Sequence, residues 1–184
     1  DNILNEVKPE IIIHLAWETN PGKFYEDKTN LKWSDATIDL INKFYHRGGK
    51  KFIFSSTCDE YGLERIEENI DELKQCIPKT LYGKSKNLVT NYLEKNFKEK
   101  SVILRNFFVC GPGENKVKLL SSIISDANSN KLIKLKRPFD LIDFIDVRDV
   151  AKIILKFVED DSYGIYNLGS SMINSPLSLA KKII

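Results

Sequence analysis

The sequence predicts an α/β fold, a partial doubly wound parallel sheet with part of a smaller α/β lobe. Three observations predict it. Short apolar runs alternate with longer amphipathic stretches. The runs are continuous rather than alternating, as in strands covered on both faces. After Gly111-Pro112-Gly113 the elements shorten and loops lengthen, the mark of a second, smaller lobe.

Each element follows from local chemistry. Ile11 to Trp17 is a continuous apolar run after Pro9, and Asn20-Pro21-Gly22 breaks it. A helix is expected from about Lys28 to His46, closed by Gly48-Gly49 as a C-terminal cap. Lys51 to Ser56 reads as the next strand and turns polar at its end. Residues 58 to 79 read as an irregular loop with acids Glu64, Glu67, Glu68, Asp71 and Glu72. Pro78 precedes a helix from about Leu81 to Phe97. Ser101 to Cys110 is the third strand-like run. Beyond the glycines, Val117 to Ala127 and Val147 to Val158 read as helices. Leu132 to Leu135, Asp143 to Val147 and Gly164 to Leu168 read as short strands, and Pro176 to Ile184 as a helix.

Bulk properties exclude several classes. The chain has 184 residues and a formal net charge of +2 with acids and bases interspersed, so neither nucleic acid nor an anionic membrane is expected as partner. Three cysteines, Cys58, Cys76 and Cys110, are an odd number without CxxC spacing. That argues against a disulfide framework or a zinc site, and for a reducing, cytoplasmic setting. No apolar run reaches membrane-spanning length, and the first residues carry no signal-peptide pattern. The nine glycines include no GxGxxG or GxxGxxG, the turn that holds a dinucleotide's pyrophosphate. The simplest expectation is an excerpt of a longer protein.

The residues that carry chemistry are Thr57, Tyr82 and Lys86. Tyr82 and Lys86 are four apart on a predicted helix and share one face. Thr57 ends the preceding strand, on the side of an open parallel sheet where ligands sit. A tyrosine hydroxyl near its ordinary pKa of about 10 is a poor base at neutral pH. A neighbouring ammonium stabilises the phenolate, and reaching pH 7 takes about 4 kcal/mol. Such a trio suits proton exchange coupled to hydride transfer with a nicotinamide cofactor. Other residues read more plainly. His14 fits a packed core histidine, Trp17 a core or a cofactor wall, and Cys58 no thiol nucleophile, since no histidine partners it.

In order along the chain, these stretches resemble the extended short-chain dehydrogenase/reductase family of NAD(P)-dependent sugar-nucleotide epimerases, dehydratases and ketoreductases. The resemblance rests on Pro9 to Ala16, Asn30-Leu31, Phe52 to Thr57 followed by Tyr61-Gly62, and Pro78 to Lys86. It continues through Leu104-Arg105, Gly111 to Glu114, Asp143 to Ala151 and Tyr166 to Gly169. It implies a Rossmann-type cofactor domain over residues 1–112 and part of a substrate lobe over 113–184, the two interleaved. It implies Thr57, Tyr82 and Lys86 as the catalytic trio, with NAD or NADP as cofactor. Cofactor contacts are implied at Ala16, Trp17, Asn30, Asn106 and Phe107, besides Tyr82 and Lys86. A nucleoside-diphosphate sugar is the implied substrate, contacted by Cys58, Asp59, Phe108 and Arg137, and a homodimer the implied assembly.

Departures narrow the expected activity. Cys58-Asp59 stands where dehydratases of the family carry Asp-Glu, which disfavours dehydration. Phe108, Cys110 and Ile142 replace a family asparagine, tyrosine and arginine, and Arg137 is the candidate substitute for that arginine. The expectation is an epimerase or 4-ketoreductase of deoxysugar or polysaccharide biosynthesis. The alternative is a non-catalytic module of the same fold that senses cofactor or binds a partner.

Overall fold

The computed structural model describes residues 2–62 and 70–184. The chain runs α1 (Asn2–Val7), β1 (Ile11–His14), α2 (Thr29–His46), β2 (Lys51–Thr57), α3 (Leu81–Phe97), β3 (Ser101–Asn106) and β4 (Phe108–Cys110). It continues through α4 (Leu119–Asn128), β5 (Ile142–Asp146), α5 (Val147–Glu159), β6 (Gly164–Leu168), β7 (Ile173–Asn174) and α6 (Pro176–Ile183). Two sheets result: a four-stranded parallel sheet of order β1-β2-β3-β6, and a three-stranded sheet of order β4-β5-β7.

The continuous apolar runs of β2 and β3 are explained by covering on both faces. Side chains alternate across a strand. Phe52 and Phe54 of β2 and Ile103 of β3 therefore meet Ile41 and Phe44 of α2 and Val89 and Leu93 of α3. Their neighbours Ile53, Val102 and Leu104 point the other way, onto Val150 and Ile154 of α5. Helices on both faces make the sheet doubly wound, as the sequence predicts.

Four expectations are corrected. The first strand stops at His14 rather than Trp17, and it is not covered on both faces: Ile13 is 40% exposed. Among the described residues β1 has only β2 as a neighbour. The single run 101–110 is two strands. Phe107 lies between them and gives its backbone N–H to Leu168 O at 2.9 Å, after which β4 pairs with β5 in the second sheet. The strand at 164–168 belongs to the main sheet beside β3, not to the smaller lobe. No strand forms at 132–135, where Leu132 is 80% exposed. Lysines interleave that run, and a strand without a partner leaves its backbone unpaired.

Registry sets up the site. Thr57 pairs with Asn106 and Asn106 with Leu168, so three strands end level at their carboxyl edge. There β2 passes into a 3₁₀ turn, Cys58–Tyr61, that ends on Gly62 in left-handed backbone. No helix among the described residues is long and apolar enough to cross a membrane. Glu64, Glu67 and Glu68 of the expected acidic loop lie outside the described residues.

Candidate active site

Helix α3 is aimed at the sheet's carboxyl edge by its own first turn. Thr80 caps it, its hydroxyl accepting the Gly83 N–H at 2.9 Å. Gly83 lets the turn press on the 58–61 segment. A Cβ there would stand 2.8 Å from Asp59 O and 3.1 Å from Thr80 Oγ1. The helix thereby delivers Tyr82 to Thr57, and both side chains line one cavity. Thr57 Oγ1 also accepts the Asp59 N–H at 3.2 Å. One turn on, Lys86 is buried and its Nζ donates to Ser55 O at 2.7 Å. The ammonium lies 4.1 Å from the Trp17 ring centroid, 4.8 Å from that of Phe54 and 5.9 Å from that of Tyr82. Thr57, Tyr82 and Lys86 thus stand together.

Burial dominates the electrostatics, and one expectation changes. Tyr82 is held well above the ordinary phenol range, first by burial and further by Asp59 and Cys58, with the Thr57 hydroxyl easing it. In this chain alone Lys86 does not offset that burial. Burial lowers Lys86 itself to about 7, against the support of Glu60. His14 falls to about 4 through burial and then the Lys86 charge. Asp59 rises to about 6 and Cys58 to about 12, both through burial first. Cys58 is therefore a neutral thiol at physiological pH.

Two cavities adjoin at Cys58 and Asp59, and Thr57 and Tyr82 line one of them. An inner cavity of about 420 Å³ is lined by Ser55, Thr57, Tyr82, Asn106, Phe107 and Phe144, among others. An outer cavity of about 540 Å³ carries Lys134, Lys136 and Arg137 on its wall with Ile70 and Ser122. Tyr25, Cys58, Asp59, Phe107, Phe108 and Ile142 line both. Two buried oxygens here, Asn106 Oδ1 and Asp59 Oδ2, have no hydrogen-bond partner among the described residues. A buried acceptor without a partner is costly. A ligand that donates hydrogen bonds would satisfy both.

The remaining predicted residues take varied places. Asn30 is buried, accepts the Trp17 indole N–H at 2.8 Å and donates to Phe24 O and Asp27 O. Its amide is committed to holding Trp17 under Lys86 and to fastening the 20–27 segment. Ala16 is exposed and lines neither cavity. Phe107 faces both cavities while its backbone N–H is taken by Leu168 O. Phe108 is 41% exposed between the cavities, and Arg137, on the outer wall, pairs with Asp140.

Sequence reading missed two groups. Phe24 and Tyr25 pack edge-on against Tyr82, at centroid distances of 4.9 and 6.1 Å. Adjacent aromatics just after Pro21-Gly22 were the available signal. Glu60 and Arg105 form a buried pair at 2.9 Å behind the trio. No local pattern marks that pair, because 45 residues separate its members.

Comparison with known proteins agrees with this geometry. The model of the NAD dependent epimerase/dehydratase family matches residues 1–169. A dTDP-D-glucose 4,6-dehydratase of Dictyostelium discoideum is 29% identical over 206 aligned positions, which cover 100% of this chain and 46% of that protein. The crystal structure of a UDP-glucose 4-epimerase from Thermotoga maritima superposes with a TM-score of 0.84 at 23% identity, covering 99% of this chain and 62% of that one. A dTDP-glucose 4,6-dehydratase from Bacillus anthracis, in complex with NAD, superposes with a TM-score of 0.82 at 21% identity, covering 99% and 58%. The chain spans about half the length of the relatives it matches in sequence. With its parallel sheet and the position of Thr57, Tyr82 and Lys86 at that sheet's carboxyl edge, this chain belongs to the NAD dependent epimerase/dehydratase family.

Proposed function

We propose that this chain forms the catalytic part of an NAD(P)-dependent enzyme that acts on a nucleoside-diphosphate sugar, as an epimerase or a 4-ketoreductase. The observation that carries the reading is the Thr57–Tyr82 hydroxyl pair, backed by Lys86, opening on a cavity at the carboxyl edge of a parallel sheet. Residues 1–112 would hold the cofactor side and residues 113–184 part of the substrate lobe, the two interleaved where β6 joins the main sheet. A nicotinamide cofactor would supply hydride exchange with the sugar and, in its oxidised form, a positive charge.

This chain's residues would do the rest. Asn106, with its unmet buried Oδ1, suits a ligand amide. Tyr82 exchanges the proton of the reacting sugar hydroxyl, with Thr57 fixing that oxygen. Burial alone keeps Tyr82 protonated, so its loss of a proton depends on positive charge from Lys86 and the cofactor together. Lys134, Lys136 and Arg137 give the outer cavity a cationic wall suited to a diphosphate. Cys58, held neutral by burial, is too weak an acid to expel a sugar hydroxyl, which favours epimerisation or reduction over dehydration.

The test uses the whole protein with a 4-keto sugar nucleotide and NAD(P)H, and with UDP- and dTDP-hexoses under NAD(P). Tyr82→Phe should lower turnover by about 10²–10⁴-fold while leaving cofactor affinity intact. Unchanged turnover removes Tyr82 from the mechanism. Product stereochemistry, or release of water, then sorts epimerase, reductase and dehydratase. A protein that binds cofactor yet ignores every sugar nucleotide is the non-catalytic module instead.

A further inference from the structure

Behind the trio lies a polar cluster that the proposed chemistry does not use. Glu60 is fully buried. Its Oε1 accepts from Ser56 Oγ and from Thr90 Oγ1, the latter at 2.6 Å, and its Oε2 accepts Arg105 Nε at 2.9 Å. Each donor sits beside a site residue. Ser56 precedes Thr57 on β2, Thr90 follows Lys86 by one turn on α3, and Arg105 precedes Asn106 on β3. Arg105 Nη1 donates to Tyr61 OH at 2.9 Å and to Glu72 O at 3.1 Å. Tyr61 OH donates to Asn167 Oδ1, and Asn167 Nδ2 donates to Ile70 O, which brings the cluster to the wall of the outer cavity.

Stability does not explain such an arrangement. Apolar replacement of a buried ion pair is often neutral or stabilising, because desolvation offsets the attraction between the charges. What the pair does supply is a fixed junction among three elements and a fixed negative charge. We propose that Glu60 is a positioning residue: its buried carboxylate clamps β2, β3 and α3 so that Thr57, Asn106, Tyr82 and Lys86 stay in register, and supplies the negative charge that supports the Lys86 ammonium. The inference rests on the catalytic reading of that trio. Lys86 faces His14 from β1, Tyr82 from its own helix, Glu60 from the turn after β2, and the neutral rings of Trp17 and Phe54. Glu60 is the acid among them.

The experiment is Glu60→Gln in the whole protein, which keeps shape and removes charge. Lysine is labelled with ¹³C at Cε, and the Lys86 signal is assigned with Lys86→Arg. The Lys86 titration midpoint should fall by about one pH unit. The turnover number should fall by about 10–10²-fold with little change in KM, as expected when reacting groups lose alignment. A midpoint within error of wild type overturns the proposal, whatever the rate does. The titration needs no turnover, so it decides even if the protein proves not to be a sugar-nucleotide enzyme. Should Glu60→Gln not fold, Thr90→Val removes one arm of the clamp and leaves the ion pair. A lowered turnover number at constant KM then supports the clamp, and an unchanged one overturns it.

Discussion

The inner and outer cavities share Cys58, Asp59 and Phe108 but are built on different principles. The inner one is framed by strands β2 and β3, ending level, and by the first turns of a capped helix. Its ionisable groups are buried, so Tyr82, Lys86 and Asp59 all depart from their ordinary titration ranges toward the neutral form. The outer one is walled by irregular chain from 134 to 142, where Arg137 is 64% exposed at its side chain and pairs with Asp140. Solvent screens such a cation, and its pairing contributes about 0–1 kcal/mol. One region holds its ionisable groups buried and fixed in place. The other offers adaptable charge to whatever carries a phosphate.

The contrast can be broken most sharply at Lys86. Lys86→Met in the whole protein should cut turnover by about 10²-fold or more, since the phenolate loses the ammonium one helical turn away. The same variant has a signature in stability. Lys86 titrates near 7 when folded and 10.5 when unfolded, so between these values the unfolded chain binds more protons. Relative to Lys86→Met, stability of the wild-type protein without ligand should therefore rise as pH goes from 7 to 10.5, by roughly 3–5 kcal/mol. Below pH 7 the cost of the buried ammonium is present in full. Denaturant unfolding of both proteins across this range should show that difference. A wild-type profile parallel to that of Lys86→Met would mean the inner cavity is wetter than its burial implies.

A second, smaller effect is expected at the contact between helix and turn. Gly83→Ala ordinarily gains up to about 1 kcal/mol of helix propensity. Here the new Cβ meets Asp59 O and the cap, so the net effect should be a loss of about 1–3 kcal/mol, with lowered turnover. A stabilised and fully active Gly83→Ala protein would show that the turn yields freely. Smallest of all should be Arg137→Ala. It should raise KM for a sugar nucleotide by no more than about fivefold, with the difference shrinking as salt is added. A hundredfold loss there would make the outer wall as preorganised as the inner one.

Some of this protein is settled by local sequence. Apolar runs bounded by Pro and Gly place β2, α2 and α3 within a residue or two, because period and capping are properties of neighbouring residues. Tyr82 and Lys86 share a helix face by spacing alone, and Thr57 marks the polar end of a strand. What needed the tertiary structure is of three kinds. Strand partners decide whether an apolar run is a strand at all: 132–135 found none, 101–110 was divided between two sheets, and 164–168 joined the larger one. Burial decides titration, so the lysine expected to lower the tyrosine is itself lowered. Long-range pairing decides Glu60 and Arg105, and also Asn30, whose amide is spent on Trp17 and the 20–27 backbone. Periodicity and capping act over a few residues, whereas desolvation and strand pairing are set by elements dozens of residues apart, and only the folded chain brings those together.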